Sequence, residues 1–179
     1  MADARPPVAG VVAAHVRDVP DFPQPGVVFK DLTPLFVAPE AWDRVLTALA
    51  DGRHGEVDLV AGVEARGFVV GAALARVLGT GFVPVRKAGK LPGDVVAATY
   101  GLEYGEATIE VQTGAVPDGS RVLLVDDVLA TGGTAVAAWD LLERVGARVV
   151  GFDVVVELGL LGGRDRLGVR PVRSLLTVG

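Results

Sequence analysis

Valine-rich runs at Asp58–Val63, Phe82–Arg86, Arg121–Val125 and Arg148–Val156 alternate with longer stretches in which apolar residues recur every three or four positions. Short continuous apolar runs mark strands covered on both faces, and the longer spacing marks helices with one buried face. The pattern therefore predicts four strands over those runs and helices over Pro39–Ala50, Gly67–Leu78 and Thr134–Val145, each with glycine near its end. Alternation of the two element types predicts an α/β fold, a mostly parallel sheet flanked by helices on both faces. At the flanks, Val8–Val19 reads as a helix and Ser174–Val178 as a terminal strand. Thr108–Gln112 alternates less cleanly and follows a stretch containing glycine and proline, so it reads as an edge strand preceded by a mobile loop over Ala88–Gly105. No repeat or linker interrupts the pattern, and 179 residues suffice for one core, so residues 1–179 are expected to form a single domain.

Composition narrows the chemistry. No apolar run approaches the length that crosses a bilayer, and the start of the chain lacks a basic, long-apolar signal, so a cytoplasmic protein with no membrane partner is expected. Without cysteine there is no thiolate nucleophile or thiolate metal site, and His15 and His54 stand isolated. A net charge of -5 argues against a nucleic-acid partner, which would call for a basic face. Of 17 basic residues only three are lysine, Lys30, Lys87 and Lys90, and all three fall within the segments singled out below.

Ligands of open parallel sheets bind beyond the carboxyl ends of the strands. After Val122–Val125 comes Asp126-Asp127-Val128-Leu129-Ala130-Thr131-Gly132-Gly133-Thr134, leading into a helix. Backbone N–H groups of Thr131 to Thr134 can form an anion nest reinforced by the helix dipole, while two carboxylates suit the hydroxyls of a ribose and can help to hold magnesium. A solvated acidic pair beside a helix cap is the simpler alternative. The string resembles the phosphoribosyl pyrophosphate signature of the type I phosphoribosyltransferases. That resemblance implies that Asp126 and Asp127 contact the ribose hydroxyls and that Ala130, Thr131, Gly132, Gly133 and Thr134 hold the 5-phosphate. It also implies the family's fold, with a small hood from the terminal segments and a mobile lid.

Two further strand ends carry charge. Asp58–Val63 leads into Glu64-Ala65-Arg66-Gly67, which taken alone is either a second anion site or a helix start with a solvated arginine. It looks like the family's pyrophosphate loop, which commonly contains a non-proline cis peptide, here between Glu64 and Ala65. Phe82–Val85 delivers Arg86, Lys87 and Lys90, three cations within five residues; these are either a solvated loop or a clamp for a leaving pyrophosphate. Leu102-Glu103-Tyr104-Gly105 closes the same stretch.

The segment Phe22-Pro23-Gln24-Pro25-Gly26-Val27-Val28-Phe29-Lys30-Asp31-Leu32-Thr33-Pro34-Leu35 resembles the amino-terminal segment of the adenine phosphoribosyltransferases. R-K-x-G-K-L-P followed by L-E-Y-G resembles their lid, and together the matches run from about Phe22 to Leu167. The resemblance implies that Phe29 stacks on adenine, that the backbone of Val28 and Lys30 reads its edge and that Leu158 closes the other face. Read alone, Phe29 is more simply a core residue, as a single phenylalanine usually is. Arg66, Lys87 and Lys90 are assigned to the pyrophosphate end, Glu103 to proton handling or stabilisation of the ribosyl charge, and Tyr104 to the closed lid. Members of this family are commonly homodimers, in which Arg86 can act across the interface. Where the family carries an E-I-x-x-D-A pattern, this chain has Gly114 in place of the acidic residue, which puts any contact made by that carboxylate in doubt.

The implied reaction transfers the phosphoribosyl group from phosphoribosyl pyrophosphate to adenine N9, giving AMP and pyrophosphate with Mg2+ as cofactor, carried mainly by the substrate. Two rivals stand beside it. One is a phosphoribosyltransferase for another base. The other is a ligand-sensing regulator on the same fold, which would need an added DNA-binding domain that this length is not expected to accommodate.

Overall fold

The computed structural model describes residues 7–101 and 105–179. In chain order the elements are α1 (Val8–His15), β1 (Arg17–Pro20), β2 (Val28–Asp31), α2 (Thr33–Phe36), α3 (Pro39–Ala50), β3 (Leu59–Val63), α4 (Arg66–Leu78), β4 (Gly81–Lys87) and β5 (Val95–Gly101). There follow β6 (Glu106–Gln112), β7 (Arg121–Leu129), α5 (Gly133–Arg144), β8 (Arg148–Leu158), a 3-10 turn (Gly159–Leu161), α6 (Gly163–Leu167) and β9 (Val172–Val178).

Seven strands form one sheet in the order β5-β6-β4-β3-β7-β8-β9. From β4 through β9 neighbours run parallel, whereas β6 pairs antiparallel with both β4 and β5. Successive side chains of a strand face opposite ways, and both sets in the central strands are apolar. On β7, Val122 and Leu124 enter one buried cluster with Trp139, Leu141 and Leu142 of α5, while Leu123 and Val125 enter another with α1, α3 and α4. The sheet is thus covered on both faces, as the apolar runs predict. Each fully buried leucine or valine contributes about 1.5–3 kcal/mol relative to exposure. No helix among the described residues is long and apolar enough to cross a membrane.

Several boundaries differ from the sequence expectations. The first helix stops at His15 rather than reaching Val19, because Arg17–Pro20 pairs antiparallel with β2 and is fastened by Arg17–Asp31 and Lys30–Asp18 ion pairs, both at 2.6 Å. Pro20 also biases Val19 away from helix. Ala88–Gly105 is not loop throughout: Val95–Gly101 forms β5, paired with β6 over seven register positions, and it takes the sheet edge expected of Thr108–Gln112. Strand β7 runs past Val125 to Leu129, so Asp126 and Asp127 belong to the strand itself.

Candidate functional site

Four neighbouring parallel strands, β4, β3, β7 and β8, bring their carboxyl ends side by side. Glu64 follows β3, Arg86 and Lys87 end β4, Asp126 and Asp127 lie on β7, and Leu158 ends β8. These residues share one rim of the seven-stranded sheet, whereas Val28, Phe29 and Lys30 lie on the separate β1–β2 hairpin, and Glu103 and Tyr104 lie outside the described residues.

The turn from β7 into α5 is shaped by glycine. Gly132 has φ 79°, and a Cβ there would stand 2.6 Å from the Gly163 carbonyl oxygen. Gly163 itself has no room for a side chain, since a Cβ would meet the Ala130 carbonyl oxygen at 2.2 Å. Among the described residues, the N–H groups of Thr131, Gly132, Gly133, Thr134 and Ala135 donate to no backbone carbonyl; the helical ladder begins with Val136 N–H on the Gly132 carbonyl at 3.0 Å. Five neighbouring unused donors at a helix start form a concave site for a phosphate-sized anion. The Thr134 hydroxyl lies 2.9 Å from that of Tyr100, and Gly133 lies against Arg166, whose Nη1 would be 3.3 Å from a Cβ there.

Asp126 and Asp127 stand just before this nest. The Asp127 N–H donates to Asp126 Oδ1 at 2.8 Å, and Gly67 at the start of α4 lets that helix approach, since a Cβ there would come within 2.8 Å of the same oxygen. Burial drives the Asp126 carboxyl well above the ordinary carboxylate range, reinforced by the neighbouring charge of Asp127. Burial also raises Asp127, with the Arg66 guanidinium opposing. Arg66 Nε is 2.8 Å from Asp127 Oδ2, yet its N–H does not point along that contact, and the buried Oδ2 accepts no hydrogen bond among the described residues. A buried carboxyl oxygen left without a donor suits a ligand hydroxyl or the hydration shell of a magnesium ion. Two carboxylates with no third potential ligand clustered beside them among the described residues fit an ion that keeps most of its shell as water and phosphate.

Arg66 connects this pair to the amino-terminal hairpin. Its Nη1 donates to the Lys30 carbonyl at 3.2 Å, and its guanidinium lies over the Phe29 ring, 4.6 Å from the centroid. Phe22 meets Phe29 edge-on at 5.0 Å. One arginine therefore spans the ribose-type carboxylate and the aromatic face expected to receive a base. The Lys30 ammonium is drawn instead to Asp18, at 2.6 and 2.8 Å from its two oxygens, while the Val28 side chain is half exposed.

The peptide between Glu64 and Ala65 is cis, at the place the resemblance assigned. Burial works against the Glu64 carboxylate, but the Lys87 N–H at 3.0 Å and Arg86 Nε at 3.1 Å outweigh it and hold the group below its usual range. Arg86 also donates to the Lys90 carbonyl at 3.0 Å, tying down the turn after β4. The ammonium groups of Lys87 and Lys90 make no ion pair among the described residues, so both are available to an anion at this rim. Beyond them, Gln112 Nε2 donates to the Pro92 carbonyl and Thr113 N–H to the Asp94 carbonyl, both at 2.9 Å, so the segment is anchored at Gly114's neighbours without an acidic side chain at 114. Tyr100 and Gly163 are the site residues that sequence reading missed. The short run of β-forming residues Val95, Val96, Thr99 and Tyr100 was the available signal for Tyr100, while the contact of Gly163 with Ala130 had none.

Comparison with known proteins agrees with this geometry. A model of the phosphoribosyl transferase domain matches residues 41–170. The chain is 57% identical over 172 residues to the adenine phosphoribosyltransferase of Thermobifida fusca, covering 96% of this chain and 98% of that protein. Among solved structures, the adenine phosphoribosyltransferase of Rhodothermus marinus superposes with a TM-score of 0.91 at 46% identity, covering 96% of this chain and 98% of the other. The Saccharomyces cerevisiae enzyme, solved with an imino-altritol bisphosphate and adenine, gives 0.89 at 42% identity, covering 94% and 98% respectively. Through its nearly full-length likeness to these enzymes, and the match of its central residues to their shared domain, the chain belongs to the phosphoribosyltransferase family and, within it, to the adenine phosphoribosyltransferases.

Proposed function

We infer that the protein transfers the 5-phosphoribosyl group from phosphoribosyl pyrophosphate to N9 of adenine, releasing pyrophosphate and forming AMP in purine salvage. The observation that carries this reading is the continuity of the rim: an anion nest, two strand-end carboxylates and an arginine reaching the Phe29 face. A sugar phosphate laid along it has its 5-phosphate at Ala130–Thr134, its hydroxyls at Asp126 and Asp127, and its base toward Phe29, with Val28 and Leu158 beside the slot.

In this reading the C1–oxygen bond to pyrophosphate breaks as the bond to adenine N9 forms, with positive charge developing on the ribose. Magnesium, when bound, neutralises the pyrophosphate oxygens and organises them for departure. The chain's own groups do the positioning. Asp127 Oδ2 accepts from a ribose hydroxyl, the carboxylate pair sits near the developing positive charge, and Lys87 and Lys90 receive the leaving anion. Arg66 covers the Phe29 ring, so stacking of a base there requires the guanidinium to move off that face. Glu103, outside the described residues, stays the candidate for taking the N9 proton or stabilising the ribosyl charge, and Tyr104 for packing beside it. The same reading places a single catalytic domain in the cytoplasm as a homodimer, without nucleic-acid or membrane partners.

The test is pyrophosphate release in the presence of magnesium and phosphoribosyl pyrophosphate with adenine, hypoxanthine, guanine or orotate supplied in parallel. Release should depend on adenine, and Phe29→Ala should raise the KM for adenine about tenfold or more through lost stacking. Preference for another base would overturn the assignment of the slot.

A further inference from the structure

Tyr100 stands on β5, the outermost strand of the sheet, and its hydroxyl lies 2.9 Å from Oγ1 of Thr134, the second residue of α5. The ring is firmly placed. Tyr100 pairs with Ala107 of β6 and packs against the buried cluster under α5, and a Cβ on Gly133 would stand 3.6 Å from its Cδ2. At the other end of the helix, Arg144 Nη2 donates to the Ala97 carbonyl at 2.9 Å, so β5 is fastened to both the first and the last turn of α5. The phenol is thus held by its hydroxyl contact with Thr134 and by packing of its ring against the core, on a strand anchored at both ends of α5.

A threonine hydroxyl has one proton and two lone pairs, and so does the tyrosine hydroxyl in functional terms. With no anion present, either oxygen can donate to the other. A phosphate oxygen accepts only, so a phosphate in the nest takes the Thr134 proton and leaves the Thr134 oxygen to accept from Tyr100. We propose that Tyr100 is a positioning residue for the 5-phosphate: its O–H donates to Thr134 Oγ1 and so aims the Thr134 proton at the phosphomonoester of the substrate. The inference rests on reading Ala130–Thr134 as the phosphate loop. The resulting chain, from Tyr100 O–H through Thr134 O–H to phosphate oxygen, is polarised in one direction by the dianion at its end.

Steady-state kinetics with magnesium, and inhibition by ribose 5-phosphate as a probe of the phosphate site, test both layers. Tyr100→Phe preserves ring volume and should lower the melting midpoint of the ligand-free protein only slightly, by the loss of the one bond to Thr134, and leave the KM for adenine unchanged. It should raise the KM for phosphoribosyl pyrophosphate and the inhibition constant of ribose 5-phosphate roughly two- to tenfold, the range for one lost hydrogen bond. Thr134→Val should raise both constants at least as much, and the double variant should be no worse than Thr134→Val alone. Thr134→Ser, which retains the hydroxyl, should stay sensitive to Tyr100→Phe. If Thr134→Val leaves the two constants unchanged, the reading of the loop fails. If Thr134→Val raises them but Tyr100→Phe does not, or the two effects simply add, the role of Tyr100 fails. A loss in Tyr100→Phe that tracks a lowered melting midpoint and falls equally on adenine would make Tyr100 a packing residue and overturn the proposal.

Discussion

At the residue scale, the phosphate loop depends on two backbones passing closer than side chains allow. Gly132 at φ 79° faces the Gly163 carbonyl, and Gly163 faces the Ala130 carbonyl. Gly132→Ala would meet both a left-handed backbone and a carbonyl oxygen 2.6 Å from its methyl group. It should cost at least about 2 kcal/mol, read as a lowered urea midpoint, and should weaken phosphoribosyl pyrophosphate more than adenine. Equal binding of both substrates in a stable Gly132→Ala protein would show that the turn does not hold the phosphate. The glycines and carboxylates of this loop were legible in the sequence because phosphate recognition by backbone N–H groups needs them contiguous. The position of Arg66 was not, since its contacts with Phe29, Lys30 and Asp127 join segments far apart in the chain.

Among elements, the segment after β8 is held by Glu157, which accepts from Arg164 Nε at 2.9 Å, from Arg164 Nη2 at 2.5 Å and from the Ser174 hydroxyl at 2.7 Å. These bonds keep α6, and with it Gly163, against the phosphate loop. The Arg164 bonds, with burial opposing and Ser174 assisting, hold the Glu157 carboxyl below its ordinary value of 4.5. A carboxyl lowered on folding contributes its full stability above that ordinary value, loses it progressively as the pH falls below, and contributes none beneath its folded pKa. Glu157→Gln should therefore destabilise the protein by about 1–2 kcal/mol at neutral pH, Arg164 being partly exposed, and the deficit should shrink in acid. A melting-midpoint deficit that stays unchanged as the pH is lowered progressively below 4.5 would contradict this account. The strand β5 shows why some elements escaped sequence reading. Gly89, Pro92 and Gly93 punctuate its approach, and its apolar residues fall on both faces without a clean alternation, so strand and loop look alike until pairing with β6 is seen. The short strand β1 was likewise absorbed into a helix, because its four residues follow α1 after a single intervening residue and show their pairing only with Val28–Asp31 in view.

For the whole molecule, a parallel sheet with apolar residues on both faces leaves its strand ends as the natural place for polar chemistry, and strand order decides which ends become neighbours. Here β3 and β7 sit side by side, with β4 and β8 flanking them, so Glu64, Arg86, Lys87, Asp127 and Leu158 share one rim although they span 95 residues of sequence, 64 to 158 inclusive. The fold class followed from alternation of apolar patterns; the adjacency of the site residues came only with the strand order. The central claim is that this rim binds and activates phosphoribosyl pyrophosphate for attack by adenine, with Asp127 as a direct contact to the sugar. Adenine-dependent pyrophosphate release should be compared for the wild-type protein and Asp127→Asn, a variant of equal size, with the melting midpoint as a check on folding. The account predicts robust release by the wild type and a loss of roughly a hundredfold or more in kcat/KM for the variant without unfolding; full activity in a folded Asp127→Asn protein would contradict it.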